Sequence, residues 1–292
     1  MNDDFSRLLD ATIGHLESLK HQGARFVTVE EKTLRLLSMA PPRAPLNPAS
    51  SAPPALESHP TPPPAPAPSP ARVVTETTPA LVVESAEKQQ AMAELRTRAM
   101  ACVQCPHLAA ARKNVVFGIG DLNAPLLFVG EAPGAEEDEQ GEPFVGKAGQ
   151  LLTRIIKAMG FGRESVYIAN VLKCRPDTPG ETAGNRKPTT VEMKTCLPYL
   201  QAQINIIQPK VIVALGATAV EGLFGKPMPI GKIRGHFQDW RGAPVMPTFH
   251  PAYLLRNQSL REKRKVWEDM LQVLEKLQMP ISDKQRGFFL KA

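Results

Sequence analysis

The chain has 292 residues, 42% of them hydrophobic, and a formal net charge of +6, enough for one large domain or two modest ones. No apolar run approaches the roughly 18–20 residues that a membrane helix needs. The acidic start "MNDDFSRLL" lacks the basic-then-apolar pattern of an export signal, so a cytoplasmic protein without a membrane partner is expected. The positive charge is compatible with a polyanionic partner without identifying one. Four cysteines in a non-exported chain favour metal or redox chemistry over a disulfide framework.

The first predicted element is a helix from about Asp4 to Lys20, with Phe5, Leu8, Leu9, Ile13, Leu16 and Leu19 on one face. A second follows, where Thr28 and Glu31 form a capping box before Leu34, Leu36 and Leu37. Two short helices are too little for an independent core, so they are expected to dock on the main domain or on a protein partner. About half of the 29 prolines then fall between Pro41 and Pro79, a composition that favours an extended linker. The expected organisation is a helical segment over 1–40, a disordered Pro/Ala-rich linker over 41–85, a compact α/β domain over 86–282 and a tail over 283–292.

Within that domain "APLLFVG" (124–130), "SVYIANV" (165–171), "KVIVALG" (210–216) and "APVMPTF" (243–249) read as strands. Between them, "GQLLTRIIKAMG" places Leu151, Leu152, Ile155, Ile156 and Met159 on one helical face, with Gly160 just past the end. Thr189 and Glu192 open the next helix with a capping box. Ser259 and Glu262 open the last, which carries Val266, Met270, Leu271, Leu274 and Leu277. Strands alternating with helices predict a three-layer α/β/α sandwich on a four-stranded parallel sheet. Such sheets keep their working residues at the carboxyl ends of the strands. Gly130, Glu131, Asn170 and His250 all fall there.

The stretch "GEAPGAEEDEQGEPFVGKAGQLL", Gly130 to Leu152, holds six carboxylates and five glycines, denser in both than an ordinary surface loop. Cys102 and Cys105 form a C-x-x-C turn, followed by the single residues Cys174 and Cys196. Zinc and a [4Fe–4S] cluster both accept four thiolates. Zinc ribbons usually carry a second C-x-x-C pair, which is missing, and spacing alone does not choose between the two.

Taken in order with the four cysteines, "GEAPGAEEDEQGEPFVGKAGQLL", "NVLKCRP" and "HPAYLLRN" resemble the family 4, iron–sulfur branch of the uracil-DNA glycosylase superfamily, over about Leu95 to Leu277. The resemblance implies a monofunctional glycosylase that hydrolyses the N-glycosidic bond of deoxyuridine in DNA, releasing uracil and leaving an abasic site for base excision repair. It implies a [4Fe–4S] cluster on Cys102, Cys105, Cys174 and Cys196. It makes Gly130, Glu131 and Ala132 the first active-site turn, Phe144 the ring that stacks on the flipped uracil, Asn170 the reader of its edge and His250 the contact to O2. Leu254, Leu255 and Arg256 would enter the minor groove, and Glu131 and Glu137 join His250 as candidate catalytic groups. Uracil-containing DNA is then the partner, bound by a monomer. The rival expectation is a catalytically weak uracil-DNA binding or polymerase-associated adaptor, which the N-terminal helices and linker would suit.

Chemistry supports these residue types. An enzyme acting on a base takes it out of the stack and reads its Watson–Crick edge. An asparagine amide pairs with O4 and N3–H of uracil, and cytosine reverses that pattern. Two departures stand out. The water-activating aspartate of family 1 enzymes falls at Ala132, which cannot activate water. The loop "RPDTPGETAGNRKP" is longer than usual and carries no histidine, which argues against a covalent-trapping relative. Arg175, Arg186 and Lys187 flank it as candidate phosphate contacts.

Overall fold

Four short, mostly apolar runs build the centre of one sheet because each places buried residues on both faces. The structure, a computed structural model, describes residues 79–178 and 181–290, all within one unit, Arg72–Ala292. The helices expected before residue 40, and the linker as far as residue 78, lie outside the described residues.

In chain order the strands are β1 (Ile119–Gly120), β2 (Leu126–Gly130), β3 (Tyr167–Asn170), β4 (Asp177–Thr178), β5 (Glu181–Asn185), β6 (Val211–Leu215), β7 (Gln238–Trp240) and β8 (Ala243–Thr248). The main sheet runs β1-β3-β2-β6-β8-β7. Strands β3, β2, β6 and β8 are mutually parallel; β1 is antiparallel to β3, and β7 to β8. The expected four-stranded parallel sheet is therefore the middle of a six-stranded mixed one. Its edge strands, two and three residues long, are too short to show a period of two in sequence.

Period-two alternation divides the core into two layers. Leu126, Phe128, Ile168 and Val213 face one side, with Leu152, Ile156 and Trp267. Leu127, Val129, Ala169 and Ile212 face the other, with Leu95, Leu200 and Val220. The helices α1 (Pro79–Met100), α5 (Thr190–Ile207) and α6 (Ala217–Phe224) supply the second set, and α4 (Lys147–Met159) and α9 (Leu260–Lys276) the first. Remaining helices are α2 (Pro106–Ala111), α3 (Ala135–Gln140), α7 (Ile230–Ile233), α8 (Pro251–Arg256) and α10 (Asp283–Gly287).

The predicted punctuation recurs where the chain turns. Leu152, Ile156 and Met159 bury one face of α4, and Gly160 ends it in the left-handed region at φ 92°. Thr189 caps α5 and Ser259 caps α9, each accepting from the backbone N–H three residues on, Glu192 and Glu262. Two boundaries differ from expectation. Helix α1 starts at Pro79, inside the segment read as linker, where proline serves as a first helical residue. The segment read as a tail carries α10, capped by Ser282. Trp267 Nε1 donates to the Gln285 carbonyl at 2.6 Å and Arg264 Nη1 to the Phe288 carbonyl at 2.8 Å.

Candidate active site

Pairing of β2 with β3 continues past the sheet: Val171 N–H donates to Gly130 O at 3.0 Å and Leu172 N–H to Glu131 O at 3.1 Å. This brings the first motif against the second at the strands' carboxyl ends. A cavity of about 450 Å³ opens there, lined by Glu131, Ala132, Glu137, Phe144, Asn170, His250 and Arg256 together with Pro176, Asn185 and Arg186. Three motifs far apart in sequence therefore meet in one pocket. Gly130 lies beneath it: a Cβ there would collide with Asn170 Oδ1 and the Phe144 ring, so only glycine lets those two groups converge.

Phe144 is 7% exposed and sits at φ 55°, a left-handed conformation that costs a non-glycine residue about 1–3 kcal/mol. Glu137 supplies what holds it there. Its Oε1 accepts from Val145 N–H and Gly146 N–H, both at 3.0 Å, and its Oε2 accepts from Gly134 N–H at 3.1 Å. One carboxylate thus ties the start of the acidic loop to the segment after Phe144. Gly149 completes the turn, since a Cβ there would strike the Phe144 carbonyl. The acidic residues at the front of α3 suit the positive end of a helix.

Asn170 is 1% exposed. Its Oδ1 is the sole buried side-chain polar atom among the described residues without a hydrogen-bond partner. Leaving a buried acceptor unmet costs about 1–3 kcal/mol, and Asn170 lines the pocket. Its backbone carbonyl accepts from Lys173 Nζ at 2.9 Å.

His250 caps α8, and its ring centroid lies 5.7 Å from that of Phe144. Ala252 N–H donates to His250 Nδ1 at 3.1 Å, so Nδ1 is an acceptor and the ring proton belongs on Nε2. Burial, and next the Arg256 charge, push the imidazole down to about 4 against an opposing pull from Glu137. At neutral pH it is therefore an uncharged N–H donor. Glu131 is shifted upward by burial, with a Thr218 hydrogen bond and Lys187 opposing.

The minor-groove trio divides. Arg256 lines the pocket, Leu255 is half-buried and Leu254 is packed inward at 4% exposure. A single helical turn places Leu254 on the same inward face as Pro251, also buried. Sequence reasoning missed Asn185, which β5 brings to the pocket mouth, and Lys173 behind the floor. Lys173 lies inside the quoted NVLKCRP and Asn185 inside the long loop after it, but neither has a periodicity that marks its place at the pocket.

Cys105, Cys174 and Cys196 pack in one small cluster with Leu108, Leu172 and Tyr199. Charge interactions link Cys102 to Cys105, Cys174 and Cys196. Burial raises Cys105 and Cys174 and pushes Cys196 up to about 12. Sulfur acceptors are nonetheless supplied with donors: Arg112 Nη1 donates to Cys174 Sγ at 3.0 Å and Lys173 N–H to Cys196 Sγ at 3.3 Å. Among the described residues no three His, Cys, Asp or Glu side chains are drawn together tightly enough to hold a metal ion as they stand. The donor set is four soft thiols with N–H donors at two of them. That chemistry suits a four-thiolate centre.

A doubly covered, largely parallel sheet thus brings an aromatic ring, an amide with an unmet acceptor and a neutral imidazole together at its strand ends. The chain belongs to the uracil DNA glycosylase superfamily, whose sequence model matches residues 117–271, just over half of the chain. It is 49% identical over 185 residues to the Type-4 uracil-DNA glycosylase of Thermotoga maritima, covering 63% of this chain and 93% of that one. Identity to the Type-4 enzyme of Saccharolobus solfataricus is 43% over 185 residues, 60% of this chain and 82% of that one. The Type-5 uracil-DNA glycosylase of Pyrobaculum aerophilum is 27% identical over 190 residues, 54% of this chain and 80% of that one. The similarity is thus markedly greater to the two Type-4 proteins.

Proposed function

We propose that the protein excises uracil from DNA by hydrolysis of the N-glycosidic bond, as a monofunctional glycosylase. The observation that carries this reading is the unmet Oδ1 of Asn170 in the floor of a pocket walled by Phe144 and His250. Uracil presents an N3–H donor to that atom, and cytosine presents an acceptor, so the wrong base would leave the buried oxygen unpaired. Phe144 supplies the stacking face and Arg256 and Leu255 the flank toward DNA; Leu254 serves packing.

Bond cleavage moves the glycosidic electron pair onto the departing base, where charge collects at O2, and leaves a cationic sugar. Water then adds its oxygen to C1′ and releases a proton. The Nε2–H of neutral His250 and the backbone amides near Ala132 stabilise the anion as it forms, which is when stabilisation accelerates a reaction. Glu137, its two oxygens occupied by three backbone N–H groups, positions Phe144 rather than water. Glu131 is the remaining carboxylate in the pocket and the candidate for acting on water or on the sugar cation.

Cys102, Cys105, Cys174 and Cys196 would hold a [4Fe–4S] cluster. Its contribution when bound is to pin the α2 region to the 174–196 segment that walls the pocket.

The test is release of free uracil from a labelled oligonucleotide, in single and double strands, by the full-length protein. Uracil release that leaves an alkali-labile, uncut strand supports the proposal. Tight binding without release is the result that favours the adaptor.

A further inference from the structure

Asp269, on α9, is fully buried. Its Oδ2 accepts from Thr248 Oγ1 at 2.6 Å and from Arg234 Nε at 3.1 Å, and its Oδ1 accepts from Arg234 Nη2. Arg234 directly follows α7, and its side chain is 15% exposed. The same Nη2 also donates to the Lys265 carbonyl of α9. Neither Asp269 nor Arg234 lines the base pocket. Desolvation of two buried charges can outweigh their attraction, so such a pair is weak evidence for stability. Its contacts point to another role.

Those contacts fall on the two residues before His250. Thr248 ends β8; Asp269 holds its hydroxyl, and its carbonyl accepts from Gly216 N–H at 2.8 Å. The Arg234 guanidinium lies 5.6 Å from the centroid of the Phe249 ring, and Lys265 Nζ lies 6.0 Å from it, within the range of a cation–π attraction. The chain after His250 returns to the same helix. Tyr253 N–H donates to the His250 carbonyl at 2.9 Å, and the Tyr253 hydroxyl donates to Glu262 Oε2 of α9 at 3.2 Å. The Tyr253 ring also packs on Phe249, with centroids 4.7 Å apart. His250 is thus bracketed by residues anchored to α9, and misplacing a reacting group by about 1 Å can cost ~10²-fold in rate. We infer that the buried Asp269–Arg234 pair is the positioning device of His250, acting through Thr248 and Phe249 to set where the imidazole Nε2–H meets the base. The inference rests on the donor role proposed for His250. It makes Asp269 and Arg234 positioning residues that lie outside the pocket.

The experiment is a double-mutant cycle on the full-length protein. It compares wild type, Thr248→Val, Asp269→Asn and His250→Ala, and each of the first two variants combined with His250→Ala. Single-turnover uracil excision and affinity for uracil-containing DNA are measured on each. In the wild-type background Thr248→Val and Asp269→Asn are each expected to slow excision roughly 10- to 100-fold. DNA affinity is expected to change little, because phosphate contacts supply most of it. In the His250→Ala background either change is expected to slow excision by roughly twofold or less, since residues that act as one unit are not additive. A residue that merely supports the fold would slow both backgrounds by the same factor, and that result overturns the proposal. Excision at the wild-type rate by Thr248→Val overturns the route through Thr248; the same result for Asp269→Asn overturns the proposal as a whole. If Asp269→Asn yields no soluble protein, Thr248→Val, which leaves the Asp269–Arg234 pair in place, decides the proposal alone. Wild type that releases no uracil, or His250→Ala at the wild-type rate, removes the donor reading itself before any double variant is compared.

Discussion

The two walls of the pocket are held by opposite means. On one side, the loop from Gly130 to Gly149 is closed by its own protein groups: Glu137 binds three backbone N–H groups and keeps Phe144 at φ 55°. On the other side, the segment from Leu172 to Cys196 carries Cys174 and Cys196, which pack with Cys105, Leu108 and Leu172, and the Arg112 guanidinium donates to Cys174 Sγ. The first wall is self-sufficient. The second is the wall that the proposed cluster would complete, and the hairpin β4–β5 that reaches the pocket mouth extends from it.

The largest expected effect breaks the second wall. Cys196→Ser removes a buried thiol from the cluster of Leu108, Leu172 and Cys196 and one proposed ligand. Iron content is expected to collapse together with soluble yield, as measured by metal analysis of the soluble fraction. A soluble, iron-replete Cys196→Ser protein would show that this thiol is only packing.

Next in size is His250→Ala, which leaves both walls intact and removes the donor between them. Single-turnover excision is expected to fall by ~10²–10³, the usual cost of one such donor, with binding to uracil-containing DNA little changed. The imidazole's position near 4 in the fold, against 6.5 for an ordinary histidine, fixes a pH signature. Between those values the unfolded chain binds a proton that the native ring refuses. Stability from this group is therefore complete above pH 6.5 and is lost as pH falls toward 4. A histidine NMR titration should show no inflection for His250 near 6.5; an ordinary inflection there would remove the neutral-donor account.

Glu137→Gln sharpens the comparison at the first wall. The amide can accept with one atom only, so at least one of the three backbone N–H groups is left unmet, at about 1–3 kcal/mol. Chemical denaturation should register that loss, and excision should fall with it through Phe144. Unchanged stability with abolished excision would instead make Glu137 a chemical participant. The smallest effect is expected at Lys113→Ala, which deletes an exposed partner of Glu139. Surface pairs of this kind contribute about 0–1 kcal/mol, so both unfolding and excision should stay close to wild type.

The sequence by itself determined the central strands and the helix caps at Thr189 and Ser259, because those depend on local periodicity and on short-range hydrogen-bond chemistry. Asn170, Phe144 and His250 were legible by another route, the resemblance: each falls within one of the three motifs that carry it. What only the tertiary structure decided depends on contacts between distant segments. The short edge strands β1 and β7 exist because neighbours pair with them. The C-terminal helix is fixed by Trp267 and Arg264 across the domain. Leu254 turns inward because α8 docks by that face. The work of Glu137 on a loop eight and nine residues ahead, and the bond from Lys173 Nζ to the Asn170 carbonyl, leave no mark in the local pattern. Propensity and periodicity act within a few residues, whereas burial and charge pairing are settled only when the chain has closed on itself.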